Sequence, residues 1–124
     1  MDKQTSTPRV LNGQIELPSN IKPFTPARIV VELEDISRAD APSELVASLQ
    51  IMHGTLQAGT QIPFTLEIPA GALNERNSYS LRVHIDSNGS GKIDPGDYIT
   101  MQSFPVLTRG YGNEARVIVR QVPG

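Results

Sequence analysis

The feature that most restricts the fold is an alternation of apolar and mostly polar residues with a period of two. In Ala27–Asp35, for example, Ile29, Val31 and Leu33 are each separated by one residue. Successive side chains of a β-strand point to opposite faces, so this spacing predicts a strand with one buried face. The same argument predicts six strands: Val10–Leu17, Ala27–Asp35, Ser43–Met52, Gln61–Ile68, Ser78–Ile85 and Glu114–Val122. A seventh, Tyr98–Phe104, is predicted as the hairpin partner of Ser78–Ile85.

These strands predict an all-β fold, an antiparallel β-sandwich with immunoglobulin-like architecture. A chain of 124 residues suits one domain with one core. We assign residues 10–124 to this domain and the polar residues 1–9 to a flexible N-terminal tail. Ser43–Met52 has the composition of a helix, but the alternation of Leu45, Ala47, Leu49 and Ile51 favours a strand. Pro63 lacks a backbone N–H, so Gln61–Ile68 is predicted to lie at a sheet edge.

Charge and composition exclude several classes of protein. A net charge of −2 gives no basic surface for nucleic acid. The chain has no cysteine, hence no disulfide and no thiolate chemistry, and no apolar run long enough to span a bilayer. Its first eight residues contain no hydrophobic signal core. A cytoplasmic location is therefore expected if Met1 is the native start, and the cell envelope or periplasm if an export segment has been removed.

No arrangement of residues typical of catalysis is found in the sequence. The two histidines, His53 and His84, are far apart in sequence and are interpreted as ordinary surface residues. There is no Gly-x-Ser-x-Gly motif and no phosphate-binding glycine loop. The protein is therefore predicted not to be an enzyme.

The segment Asp86–Asp97 has the spacing of an EF-hand calcium loop. Oxygen-bearing side chains lie at loop positions 1, 3, 5, 9 and 12, a main-chain carbonyl is available at position 7, and Gly91 lies at position 6, where the chain turns sharply. This spacing brings about six oxygens to one point, as calcium requires. The predicted ligands are the side chains of Asp86, Asn88, Ser90, Asp94 and Asp97 and the carbonyl of Lys92.

Two features of this loop predict weak binding. Only three ligands are carboxylates, and position 12 is Asp97 in place of the longer, bidentate glutamate. We therefore expect a dissociation constant of about 10⁻⁴–10⁻³ M. The alternative is a polar turn without metal, since Asn88-Gly89 suits a type I′ turn and Pro95-Gly96 a type II turn.

The run Val31–Pro42, Val-Glu-Leu-Glu-Asp-Ile-Ser-Arg-Ala-Asp-Ala-Pro, resembles the signature of the YbaY/YscW lipoprotein family. Weaker similarities follow at Ile62–Phe64, Tyr79–Arg82 and Val106–Thr108, so the resemblance extends from about residue 10 to residue 122. It implies a small β-sandwich related to pilotins, the chaperones that escort secretin subunits in type III secretion.

The residues of the signature have a simpler interpretation as a turn. Asp35, Ser37 and Asp40 are short polar side chains that bond nearby backbone N–H groups, and Pro42 disfavours a helix before it. The alternative is a ligand-binding or catalytic role for the two aspartates.

The resulting functional prediction is a non-enzymatic secretion chaperone that binds a protein segment and carries a calcium-binding hairpin loop. The partner segment is expected to add a strand to the edge at Gln61–Ile68. The alternative is a calcium-stabilised structural or carbohydrate-binding module of the cell envelope. Three Tyr, three Phe and no Trp weigh against sugar stacking and so against that alternative.

Overall fold

The computed structural model describes residues 8–123, and seven of the nine residues of the predicted tail lie outside this range. Nine strands and no helix occur within it, so none of the described segments is a helix that could cross a membrane. The strands are β1 (Arg9–Glu16), β2 (Arg28–Asp35), β3 (Glu44–Ile51), β4 (Gln61–Ile68), β5 (Tyr79–Asp86), β6 (Tyr98–Ile99), β7 (Pro105–Val106), β8 (Glu114–Ile118) and β9 (Arg120–Gln121).

The strands form two sheets. The smaller has the order β4-β1-β8, and the larger has the order β3-β2-β5-β6-β9, with β7 also paired to β5. All pairs are antiparallel except β1–β8, which is parallel. The predicted all-β sandwich is therefore confirmed, as is a strand at Ser43–Met52, where β3 lies.

The core is built from the alternating apolar positions that the sequence predicts. In β2, Ile29, Val31 and Leu33 are fully buried, and in β4 every second residue is buried. Each such side chain stabilises the fold by about 1.5–3 kcal/mol relative to exposure. The strand β3 differs, because its apolar residues Leu49 and Ile51 are only partly buried.

One glycine is required by close packing. Gly13 in β1 lies opposite Phe64 in β4 and Ala115 in β8. A Cβ atom on Gly13 would lie 2.5 Å from Phe64 Cζ and 3.0 Å from the carbonyl oxygen of Ala115. The phenyl ring therefore occupies the space that a side chain at this position would take.

The predicted strand Tyr98–Phe104 is wrong in its second half. Only β6 is regular, and the chain returns to β5 as β7, at Pro105. Between them two backbone bonds remain, from Thr100 N–H to Val83 O and from Leu81 N–H to Phe104 O, both at 3.1 Å. Hydroxyl groups take the place of the other acceptors: Val83 N–H donates to Thr100 Oγ1 at 3.3 Å, and Phe104 N–H donates to Ser80 Oγ at 2.9 Å. These hydroxyl groups compete with the backbone as acceptors and so interrupt the strand.

The predicted strand Glu114–Val122 is divided between the two sheets. Its first part, β8, pairs with β1, and its second part, β9, pairs with β6. At the crossing, Val119 N–H donates to Glu16 O at 3.2 Å. Val117 and Val119 are both fully buried, because the alternation of side chains continues through the crossing.

The strand β4 lies at an edge of the smaller sheet, as Pro63 predicts. Leu17 N–H donates to Thr60 O, so odd-numbered residues of β1 direct their backbone groups to β4. Their partners in β4 are even-numbered, and Pro63 therefore has its nitrogen on the outer side. Its missing N–H costs the sheet no hydrogen bond.

Candidate functional site

The predicted calcium loop connects β5 to β6 on the larger sheet. Its first residue, Asp86, is the last residue of β5, and its last, Asp97, immediately precedes β6. Both side chains are fully buried, whereas Asn88, Ser90 and Lys92 are exposed. The structure therefore separates the predicted ligands into a buried pair and an outer group.

The carboxylate of Asp86 organises the first half of the loop. Its Oδ1 accepts from Gly89 N–H at 2.9 Å, and its Oδ2 accepts from Gly91 N–H at 3.0 Å. Gly91 has a φ of 81°, the left-handed conformation that the sharp turn at loop position 6 requires. Arg28 Nε lies 3.6 Å from Asp86 Oδ2 and compensates its buried charge. The sequence gives no sign of this partner, which lies on β2.

The carboxylate of Asp97 closes the second half of the loop. Oδ1 accepts from Ser87 N–H at 2.9 Å, and Oδ2 accepts from Asp94 N–H at 3.1 Å and from His84 Nε2 at 2.8 Å. Burial raises the pKa of Asp97, but the hydrogen bonds from these three residues outweigh it, and the net pKa lies below the ordinary value. Asp97 is therefore ionised, and His84 donates its Nε2 proton.

This contact corrects the interpretation of His84 as an ordinary surface residue. Its side chain is 19% exposed and is held against Asp97. The sequence separation of 13 residues hides the pair, which forms only because β5 and the loop end side by side. His53, by contrast, is exposed in a loop, as predicted.

The other predicted ligands converge on the outer side of the loop. Ser90 Oγ donates to Asp94 Oδ2 and lies 3.2 Å from Lys92 O, and Asn88 Nδ2 lies 3.2 Å from Asp94 Oδ2. Loop positions 3, 5, 7 and 9 are thus brought together. One ligand atom each from His84, Asp86 and Asp97 also lie within 4.8 Å of one another. Both oxygens of Asp97 are already bonded to protein donors, so the buried pair has a structural role whether or not a cation binds.

One of the two predicted turns forms and the other does not. Asp97 N–H donates to Asp94 O at 3.1 Å, and Gly96 has a φ of 96°, as a type II turn requires. A type I′ turn would need a positive φ at Asn88. Within residues 8–123 the non-glycine residues with a positive φ are Leu107 and Arg109, so Asn88 does not have one. That prediction is wrong, because the carboxylate of Asp86 holds Gly89 in a different turn.

The signature run Asp35–Pro42 lies at the opposite end of β5, about 23 Å from the calcium loop. Asp35 Oδ1 accepts from Ser37 N–H at 2.9 Å and Oδ2 from Asn77 Nδ2 at 2.8 Å, while Ser37 Oγ accepts from Ser78 N–H at 2.8 Å. Burial raises the pKa of Asp35, but its hydrogen bonds with Ser37 and Asn77 and the charge of Arg38 bring the net pKa below the ordinary value. The residues build a turn, as predicted, and Asp40 is exposed.

A strained segment that the sequence does not indicate packs against this turn. Leu107 has a φ of 75°, and Thr108 N–H donates to Val106 O at 2.9 Å, which forms a γ-turn. Such a conformation costs about 1–3 kcal/mol for a residue with a side chain. The buried hydroxyl of Thr108 anchors the segment by donating to Asn77 O.

Comparison with known structures finds a solved structure with the same fold. The structure titled as an alternative pilotin from the type II secretion system of Vibrio cholerae superimposes with a TM-score of 0.78 at 21% sequence identity. The match covers 95% of this chain and 100% of that chain, so the two share one complete fold. No curated protein matches the sequence.

The sequence itself identifies the family. Residues 6–119 match the family described as type III secretion system lipoprotein chaperone (YscW). The chain therefore belongs to the YscW family, and the resemblance that begins at Val31–Pro42 is confirmed over nearly the whole chain.

Proposed function

We propose that the protein is a non-enzymatic secretion chaperone of the pilotin type, which binds a segment of a secretion-system protein at the cell envelope. The observation that carries the proposal is the family match over residues 6–119, and the fold shared with a pilotin supports it. The buried carboxylates of Asp86 and Asp97 accept hydrogen bonds from backbone N–H groups of the loop. They therefore stabilise the loop, which suits a binding protein better than an enzyme.

The experiment is crosslinking in native cells, followed by purification of the tagged chain from the envelope fraction and mass spectrometry. Recovery of one secretion-system subunit is expected, and deletion of the chaperone gene should lower the amount of that subunit in the outer membrane. Recovery of RNA, of no reproducible protein, or of a subunit whose location is unchanged by the deletion would contradict the proposal.

The position at which the partner binds is proposed to be the outer edge of β4. In this strand the odd-numbered residues direct their backbone groups outward, so within residues 8–123 Thr65 offers an unpaired N–H beside the gap left by Pro63. Thr65→Pro removes that donor and should weaken crosslinking to the partner. The matched control is Gln50→Pro on β3, an edge strand of the other sheet. Equal losses in both variants would contradict binding at β4.

We also propose that the loop Asp86–Asp97 binds calcium weakly. The supporting observation is the convergence of Ser90 Oγ, Lys92 O and Asp94 Oδ2 on the exposed side of the loop, with the side-chain amide of Asn88 beside them. With a dissociation constant of about 10⁻⁴ M, 1 mM calcium adds roughly 1.4 kcal/mol of stability. For a chain of this length the melting temperature should rise by about 5 °C.

Thermal melts with calcium and with chelator test this proposal. Asp94→Asn removes one charged ligand of the outer group and should abolish most of the shift. Asp40→Asn is the matched control, since Asp40 is exposed beyond the far end of β5. If calcium raises neither melting temperature, or raises that of Asp94→Asn as much as that of the wild type, the loop is a turn without metal.

A further inference from the structure

A cavity of about 390 Å³ lies between residues 20–24, which precede β2, and the neighbouring part of the larger sheet. Residues 20–24 form one wall. The other wall consists of Ser87 and Gly96, from the two ends of the calcium loop, with Tyr98 of β6 and Gln121 of β9. Ligand pockets in proteins have volumes of roughly 300–1,000 Å³, so a small molecule fits this space.

Both walls of the cavity are fixed by hydrogen bonds within the protein. Phe24 N–H donates to the carbonyl of buried Leu56 at 3.1 Å, and Leu56 N–H donates back to Phe24 O at 2.7 Å. On the other side, Ser87 Oγ donates to Gly96 O at 3.2 Å, and Gly96 N–H donates to Val122 O at 3.0 Å. The cavity is therefore formed before any ligand enters, as is usual for binding pockets.

The hydroxyl group of Tyr98 has no hydrogen-bond partner among residues 8–123, although Tyr98 is only 4% exposed. Its ring stacks on that of Phe24, with ring centroids 5.3 Å apart. The hydroxyl of Tyr79, which is also buried, accepts from Asn74 N–H at 2.8 Å, as buried tyrosines usually find a partner. Burial raises the pKa of Tyr98, so its hydroxyl keeps the proton at neutral pH and needs an acceptor. The space beside Tyr98 from which an acceptor can approach is the cavity.

The negative charges of the calcium loop lie across the sheet from this cavity. Tyr98 is opposite Ile85 in β5, and successive side chains of a strand point to opposite faces. Asp86 follows Ile85 in the chain, and Asp97 bonds to His84, which precedes Ile85. Both carboxylates therefore lie on the other face of the sheet and do not oppose a negative charge beside Tyr98.

We propose that the cavity binds a small organic carboxylate with an apolar body. The carboxylate accepts from Tyr98 O–H and is paired with Lys22, which carries the one charge among the described residues that line the cavity. Lys22 is exposed and forms no ion pair within residues 8–123, so its ammonium group can turn to the ligand. The apolar body lies against Ile21 and Pro23, beside the ring of Phe24. The proposal is independent of the proposed chaperone function.

Heteronuclear NMR titration of the purified full chain with phenylacetate tests the proposal. Saturable shifts of the backbone amides are expected at Ser87, Gly96 and Tyr98, on the wall of the cavity. Phenylacetamide keeps a carbonyl acceptor but has no charge, and it should bind more weakly. Shifts that do not saturate at millimolar phenylacetate, shifts confined to another surface, or equal affinity for the amide would overturn the proposal.

Substitution of the two buried tyrosines separates binding from stability. Tyr98→Phe keeps the ring but removes the donor, so the Kd for phenylacetate should rise about tenfold. The melting temperature of the free protein should not fall, because the hydroxyl has no partner to lose within residues 8–123. Tyr79→Phe is the matched control: it leaves Asn74 N–H without an acceptor and should lower the melting temperature without changing the Kd.

Lys22→Gln removes the charge at the cavity and should also raise the Kd for phenylacetate. The titrations and melts contain chelator, so that calcium in the loop contributes to neither. An unchanged Kd in Tyr98→Phe, or a fall of its melting temperature as large as that of Tyr79→Phe, would overturn the role of the Tyr98 hydroxyl and with it the proposed site.

Discussion

Replacing Asp97 with alanine is expected to destabilise the fold by about 3–5 kcal/mol. The side chain is 1% exposed and accepts from Ser87 N–H, Asp94 N–H and His84 Nε2. A hydrogen bond to a charged group contributes about 1.5–3 kcal/mol, but three bonds to one carboxylate are not additive and water can reach part of the cavity. The expected loss therefore lies near or below the lower end of their sum, about 4.5 kcal/mol. For 124 residues this loss lowers the melting temperature by about 12–19 °C.

The control for this substitution lies in the same loop. Asp94→Ala removes a carboxylate that is bonded to Ser90 and Asn88, both exposed side chains, and should cost less than about 1 kcal/mol. Urea denaturation in the presence of chelator measures both variants without any contribution from calcium. If the two substitutions cost the same, the energy does not come from buried backbone donors, and the argument from Asp97 fails.

Three further predictions follow from packing and charge. Gly13→Ala should cost about 1–3 kcal/mol by overpacking against Phe64, and Phe64→Leu in the same chain should recover part of the loss in a double-mutant cycle. Arg28→Met leaves the buried charge of Asp86 uncompensated and should lower the free energy of unfolding by about 1–2 kcal/mol. The loss is kept small because Arg28 is 39% exposed and solvent screens its charge. An unchanged urea midpoint would contradict this role of Arg28. The pKa of Asp97 is lowered on folding, so its contribution is present above the unfolded value of about 3.9 and is lost as pH falls through the folded value. Urea titrations below pH 4 should therefore show a shallower pH dependence for Asp97→Asn than for the wild type.

The sequence alone determined where most strands lie and which side chains enter the core. Period-two alternation places Ile29, Val31 and Leu33 on one face whatever the strand pairs with, because the geometry of a strand is local. Pro63 likewise indicated an edge, since a missing N–H within a strand is tolerated where that side of the strand faces solvent. The sequence alone also determined the signature run and the family that it indicates, since a family match needs no knowledge of contacts.

The tertiary structure alone decided the pairing of strands and the environment of the loop. The alternation of Val117 and Val119 is the same in one continuous strand as in one that changes sheets between β8 and β9. Nor does the sequence show that His84 bonds to Asp97, or that Arg28 compensates Asp86. Residue spacing predicts only contacts between residues that are close along the chain. These contacts join residues that come together when distant strands pair and exclude water from between them.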